Sequence, residues 1–265
     1  MWINLVVGYV QPQSDLYIYF VVESEPESLL IQATGPSLET YYGIPGNYLP
    51  DPSLTIYNLA TNAQVASNTG WSSNPANVPA IENAIAQLGS ISYTMGSGDS
   101  AILMTFPPGV YEAVIASAGG NSGSVLGQVA DLLGNGGRVA YVAELTDGSA
   151  ELSAAESLSG YDNVLVRALG PSLGAAYGSP PPNAPSVVGG QDFAGQPTVL
   201  TTGVVTPEVV AGAGTFPLLP GSGEFSELVG YDGVISASCA SPGSGYSMLE
   251  TAIDDAYRQN FAPVM

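Results

Sequence analysis

The chain has 265 residues, 33 of them Gly and 21 Pro, with 45% hydrophobic and only 10% charged side chains. That length fills one large domain or two of ordinary size without metal or disulfide staples, and so apolar a composition excludes disorder. The balance of 3 basic against 23 acidic residues, a net charge of −20 with no Lys and no His, repels nucleic acid and anionic lipid alike, so neither is a predicted partner.

The opening residues, Met1-Trp2-Ile3-Asn4-Leu5, lack the basic start and small-residue cleavage site of a signal peptide, which implies that export information has been removed or that this is a mature form. The longest apolar run, Leu16 to Val22, alternates like a strand and is far short of the roughly 20 residues that span a bilayer, so no membrane insertion is expected. Tyrosines crowd the first quarter at positions Tyr9, Tyr17, Tyr19, Tyr41, Tyr42, Tyr48 and Tyr57. Exposed, they would stack on surface glycans or on a neighbouring subunit; buried, they would fill a core.

Leu29-Leu-Ile-Gln-Ala-Thr reads as an apolar strand running into the turn Gly35-Pro36-Ser37-Leu38, and Ser53 to Tyr57 as another strand. Asn77 to Gly89 predicts the one helix, with Ile81, Ile85 and Leu88 on a single face, Asn77 as N-cap and Gly89 as the C-terminal stop. Strands are expected again at Ala101 to Phe106, Ala113 to Gly119, Val125 to Val129 and Arg138 to Glu144.

The order of signals then repeats. Val164-Leu-Val-Arg-Ala-Leu-Gly170-Pro171-Ser172-Leu173 matches Leu29 to Leu38, Gly221-Ser-Gly-Glu224 matches Gly96-Ser-Gly-Asp99, and Gly233 to Cys239 matches Ala113 to Gly119. Ser244-Gly245-Tyr246 likewise matches Ser122-Gly123-Ser124, and Ser247 to Glu250 reads as a strand despite its resemblance to a helix capping box. In place of the helix the second half carries Ser179-Pro-Pro-Pro-Asn-Ala-Pro185, a stiff polyproline-like loop. The predicted fold is therefore all-β: two tandem related β-sandwich halves, Ig-like or jelly-roll-like, over 1–133 and 134–265, with at most one short helix in the first.

The absences limit the chemistry. Without His there is no Ser-His or Cys-His nucleophile and no imidazole metal site, and without Lys there is no Schiff base and no phosphate-loop lysine. The single cysteine, Cys239, reads as a buried strand residue, and Gly134 to Gly137 and Gly212 to Gly214 as turns. Glu112, Glu144, Asp147, Asp162 and Asp232 are available for acid-base work, but no spacing singles out a catalytic pair, so an enzyme is not expected. No cofactor is required, and calcium is the ligand an acidic, oxygen-rich surface could take, with Asp99, Asp147, Asp162 and Asp232 as candidate ligands because they lie beside glycine or in expected turns.

The first half, through Gly35-Pro36-Ser37-Leu38, Asp51-Pro52-Ser53-Leu54, Trp71 and Pro107-Pro108-Gly109-Val110-Tyr111, resembles a tandem Gly-Pro-Ser-Leu β-sandwich repeat of long secreted surface proteins of environmental bacteria. The second half resembles a diverged copy: it keeps Arg167-Ala168-Leu169-Gly170-Pro171-Ser172-Leu173, has Gln196-Pro197-Thr198-Val199 for the acidic turn, and lacks the tryptophan. The resemblance implies an extracellular or cell-surface location and a repeat architecture, and no catalytic residue. Few charges on apolar strands leave little protection against edge pairing. The expected function is accordingly structural, a subunit that adds a terminal segment, Met1 to Val10 or Ala256 to Met265, to the next copy in a head-to-tail filament or layer. The alternative is a monomeric adhesive or carbohydrate-binding module of a larger secreted protein.

Overall fold

The structure is a computed structural model that describes residues 3–12, 14–22, 25–43, 46–132, 139–147, 152–173, 186–192, 197–198, 222, 224–240 and 246–254. Ser179 to Pro185, the glycine strings at 134–137 and 212–214, and the tail from Ala256 to Met265 lie outside the described residues. The chain is all-β, and it divides into two compact units, Met1–Val139 and Ala140–Met265.

Unit 1 is a sandwich of two four-stranded antiparallel sheets. β1 (Ile3–Val10), β8 (Gly123–Asp131), β3 (Glu27–Thr34) and β6 (Ser100–Phe106) form one in that order. β2 (Leu16–Val22), β7 (Gly109–Ser117), β4 (Pro52–Asn58) and β5 (Ala63–Asn68) form the other. The alternation read in Leu16 to Val22 has the expected cause: Leu16, Ile18 and Phe20 are buried between the sheets, while Tyr17 and Tyr19 lie on the outer face. Phe20, Phe106 and Tyr111 make a three-ring cluster there, with centroids 5.1 to 5.5 Å apart, and each such buried side chain contributes about 1.5–3 kcal/mol. Gly127 lets the two sheets approach closely, since an added Cβ would come within 2.6 Å of Ile18 Cδ1 and 3.0 Å of Ile115 Cδ1.

β3 and β8 are buried on both faces, because a third layer covers the outside of their sheet. That layer is α2 (Val78–Leu88), whose Val78, Ile81, Ala84, Ile85 and Leu88 pack with Trp71 onto Leu30, Ala101 and Ala130. Gly89 stops the helix in the left-handed region at φ 66°. Asn77 does not cap as its identity suggests: it stands at the N-cap position in helical conformation and its side chain makes no capping bond. Pro79, which has no N–H to satisfy, relieves that need, and Asn74 instead accepts the Ala76 N–H through its side chain. A second, six-residue helix, α1 (Ser37–Tyr42), grows out of the Gly-Pro-Ser turn, where the sequence predicts a turn alone.

Unit 2 repeats the topology. Its strands are β9 (Val139–Asp147), β10 (Leu152–Leu169), β11 (Ser186–Asp192), β12 (Pro197–Thr198), β13 (Phe225–Ala240) and β14 (Tyr246–Asp254), paired in the order β9-β14-β10-β13-β11-β12. The 18-residue β10 does the work of β2 and β3 joined: Leu152 to Leu158 pair with the C-terminal part of β13, and Asp162 to Ala168 with its N-terminal part, across a register shift. Likewise β13 stands for β6 and β7, β9 for β1 and β14 for β8. The strand reading of Ser247 to Glu250 holds, and Cys239 lies in β13 opposite Leu152 and Val187. One pairing is corrected: Pro197–Thr198 is the outermost strand and the counterpart of β5, and the strand that pairs with β13 as β4 pairs with β7 is β11. The shared Pro-Ser/Thr pattern misleads because proline suits an outer strand as readily as a strand start.

Candidate functional site

The repeated motifs converge on one structural device. In unit 1 the Gly35 and Ser37 N–H groups donate to Asp99 Oδ1 at 2.8 and 3.2 Å, and the Ser37 and Ser97 hydroxyls donate to Oδ2 at 2.6 and 2.7 Å. Asp99 is fully buried. In unit 2 the Gly170 and Ser172 N–H groups donate to Glu224 Oε1 at 2.6 and 2.9 Å, the Ser222 hydroxyl donates to Oε2 at 2.6 Å, and the Ser172 hydroxyl also donates to Oε2. The acidic residue of Gly-Ser-Gly-Asp/Glu is thus a clamp that ties its own turn to the Gly-Pro-Ser turn, twice over.

A backbone segment passes through the clamp in unit 1. Tyr48, Leu49 and Pro50 run against three glycines: a Cβ on Gly35 would lie 1.9 Å from the Leu49 carbonyl oxygen, one on Gly98 2.3 Å from that of Pro50, and one on Gly123 2.2 Å from the Tyr48 carbonyl carbon. The Leu49 N–H donates to the Ser124 carbonyl at 2.8 Å. Trp71 joins the same region, its backbone N–H donating to the Asp99 carbonyl at 2.8 Å and its indole N–H to the Thr94 carbonyl at 3.1 Å. Asp51 closes the neighbouring corner by accepting from the Ser117 hydroxyl and the Asn121 amide, both at 3.1 Å. The Tyr111 hydroxyl donates to the Pro107 carbonyl at 2.8 Å, closing the Pro-Pro-Gly-x-Tyr turn. Gly35, Ser37, Asp51, Trp71 and Tyr111 of the motifs therefore each hold a turn or a close backbone approach.

Beside the clamp, the half-buried Tyr93 shares a 2.7 Å hydrogen bond with the Thr34 hydroxyl. Burial first, and then the nearby Asp99 charge, push its hydroxyl far above the ordinary value of 10.0. The folded state therefore keeps this proton where the unfolded chain gives it up, so its contribution is whole below about pH 10 and declines above it by up to about 1.4 kcal/mol per pH unit. Chemical denaturation between pH 9 and 11.5 is expected to show a shallower alkaline loss for Tyr93→Phe than for the wild type. Equal slopes would mean that the buried hydroxyl ionises freely.

Of the candidate calcium ligands, Asp99 belongs to unit 1 and Asp147, Asp162 and Asp232 to unit 2; the Asp99 carboxylate is held by the two turns. Its two carboxyl oxygens each accept two hydrogen bonds already, so an ion there would have to displace the turn. Asp162 lies in β10 opposite Tyr231, next to Asp232 in β13, and Asp147 ends β9 opposite Tyr246. Glu112 is opposite Tyr19 and Tyr57, and Glu144 opposite Leu249. Among the described residues no group of three or more His, Cys, Asp or Glu is placed to hold a metal, and no helix is long and apolar enough to cross a membrane.

Two of the outer strands of unit 1, β5 and β6, differ in kind. β5 is short, exposed and bent by a register shift opposite Ile56 and Tyr57, and the bend protects it against further pairing. β6, Ser100-Ala-Ile-Leu-Met-Thr-Phe106, carries no charge, no proline and no bulge, and pairs with β3 along its whole length. The Asn68 side chain accepts the outward Ala101 N–H at 3.3 Å. By the alternation of an antiparallel ladder, Leu103 and Thr105 then also present their N–H and C=O groups outward, and no described strand pairs with them. Alongside runs an open groove of about 430 Å³, with Ala80, Asn83, Ala84 and Gln87 of α2 on one wall and Leu103, Met104 and Thr105 on the other. Period-two patterning found β6, but nothing in one sequence says which strand ends a sheet. No protein-family model matches the chain, and no curated protein matches it.

Proposed function

We propose that this chain is an extracellular structural protein that associates with its own copies by strand addition to form a surface filament or layer. The observation that carries the reading is the Leu103 to Thr105 edge of β6, an uncharged ladder flanked by an α2 groove. An added strand would complete its hydrogen bonds there and seat alternate side chains against Ala80 and Ala84. The clamps support a structural role, because the repeated motif residues are spent on holding turns. The resemblance to secreted tandem repeats supports the location, and the terminal segment Ala256 to Met265 is the proposed donor, because Ile3 to Val10 is already paired with β8 as β1. Because donor and acceptor would be different surfaces, the contact is heterologous and propagates.

Thr105 is exposed, so a lysine there places a charge on the edge without disturbing the core. Electron microscopy and sedimentation of the purified chain at neutral pH are expected to show regular assemblies for the wild type and a shift to single particles for Thr105→Lys. Single particles for the wild type at high concentration, or assemblies indifferent to Thr105→Lys, would overturn the reading.

A further inference from the structure

We propose that the outer face of the β2-β7-β4-β5 sheet binds a neutral, ribbon-shaped glycan, with Tyr19 and Tyr57 as stacking platforms and Glu112 between them accepting sugar hydroxyls. The register builds this row directly. Tyr19 is paired with Glu112, Glu112 with Tyr57, and Tyr57 with Gln64, across four neighbouring strands. The row beside it is Tyr17, Val114, Thr55 and Ser67. In β2, β7 and β4 the alternate residues Tyr17, Tyr19, Glu112, Val114, Thr55 and Tyr57 are partly exposed while Ile18, Ala113 and Ile56 between them are buried, so these side chains share the outer face.

Two strand spacings separate Tyr19 from Tyr57, about 10 Å. That is close to the repeat of two β-1,4-linked pyranose rings, so alternate sugars along an extended chain would meet the two aromatic groups. Tyrosine suits the task because its ring offers an apolar face and its hydroxyl a polar tip. The linking residue is a carboxylate, which accepts hydrogen bonds from vicinal hydroxyls, with the Gln64 amide, the Thr55 hydroxyl and the Ser67 hydroxyl around it.

Charge selects the ligand class. With 23 acidic and 3 basic side chains the chain repels acidic polysaccharides, and a neutral glycan carries no such penalty. The same carboxylate disfavours a second copy of the chain as occupant, since covering Glu112 with a protein face would strip its water without supplying a cation. The site is separate from the β6 edge, so it stands whether or not the chain assembles.

Calorimetric titration of the full chain with cellohexaose and chitohexaose, and with oligogalacturonate as the acidic control, tests it. Binding of at least one neutral hexamer is expected, without binding of the acidic one. Tyr57→Ala is expected to weaken it about tenfold, Glu112→Gln to weaken it measurably, and Thr105→Lys to leave it intact, each with an unchanged melting temperature. The proposal is overturned if neither neutral hexamer binds, if Tyr57→Ala and Glu112→Gln both bind as the wild type does, or if the acidic sugar binds as well as the neutral ones. A change of oligomeric state in Tyr57→Ala without any sugar binding would overturn it in favour of a second copy on this face.

Discussion

Replacing Asp99 by alanine is expected to destabilise unit 1 by about 3–5 kcal/mol, because it strands two backbone N–H groups and two hydroxyls in a fully buried turn. The N–H groups of Gly35 and Ser37 and the hydroxyls of Ser37 and Ser97 all donate to this one carboxylate, and a methyl group offers none of them an acceptor. Asp99→Glu is expected to cost far less, since Glu224 performs the same task on Gly170 and Ser172. Asp99→Asn falls between, because its amide nitrogen turns a donor toward the Ser37 and Ser97 hydroxyls, which can reorient only in part. Denaturant unfolding followed by tryptophan fluorescence reads the effect, as the Trp71 backbone is bonded to the Asp99 carbonyl. A loss below about 1 kcal/mol for Asp99→Ala would show that the turn is set by its glycines alone.

The clamp also shows what one sequence makes legible. Matching Gly96-Ser-Gly-Asp99 to Gly221-Ser-Gly-Glu224 reveals an acidic turn residue common to both halves, and matching Gly35-Pro-Ser37 to Gly170-Pro-Ser172 reveals a common turn. Neither match says that the first reaches the second. That contact spans 62 to 64 positions in unit 1 and 52 to 54 in unit 2, and in unit 1 it depends on β3 and β6 pairing in the register Glu27 with Phe106 to Ala33 with Ser100, a long-range choice that local patterning does not encode. The same gap hides the four hydrogen bonds that the Asp99 carboxylate accepts, because an acidic residue beside glycine has the same local appearance whether it faces an ion or a backbone turn. Strand periods are local and are read well; strand order is not local, and Pro197–Thr198 is placed one strand too far in for that reason.

The buried middle strand carries a subtler lesson. Gln32 in β3 and Arg167 in β10 occupy matching positions, both buried, and their register partners are Gln128 in β8 and Glu250 in β14. A polar pair is thus kept in the ladder of both units while its chemistry changes from two amides to residues of opposite charge. The sequence displays the changes at Gln32 and Arg167 and at Gln128 and Glu250 separately, but that each pair is joined across the ladder becomes visible only once the strands are paired. A centrally placed polar pair fixes register, because sliding either strand by one residue would turn its partner to the other face.

Gly35→Ala is the second change expected to be severe, at about 3 kcal/mol or more, and its cause differs from that of Asp99→Ala. The new methyl would sit 1.9 Å from the Leu49 carbonyl oxygen and 3.2 Å from Pro52 Cδ, so backbone would have to move rather than a flexible side chain. Leu49 has little room to yield: it is fully buried, and its N–H is tied to the Ser124 carbonyl at 2.8 Å. Gly8→Ala provides the contrast, because its methyl meets only the side-chain tip of Leu16 at 3.0 Å, and a loss of under about 1.5 kcal/mol is expected. Gly98→Ala presses on the adjacent Pro50 carbonyl at 2.3 Å, so the pair Gly35→Ala and Gly98→Ala tests whether one segment absorbs both insults. If Tyr48 to Pro50 moves as a unit away from the clamp, the double variant loses less than the sum of the singles, by about 0.5–3 kcal/mol. Additive losses would mean that each glycine guards an independent contact, and the cradle would then be two separate close approaches rather than one.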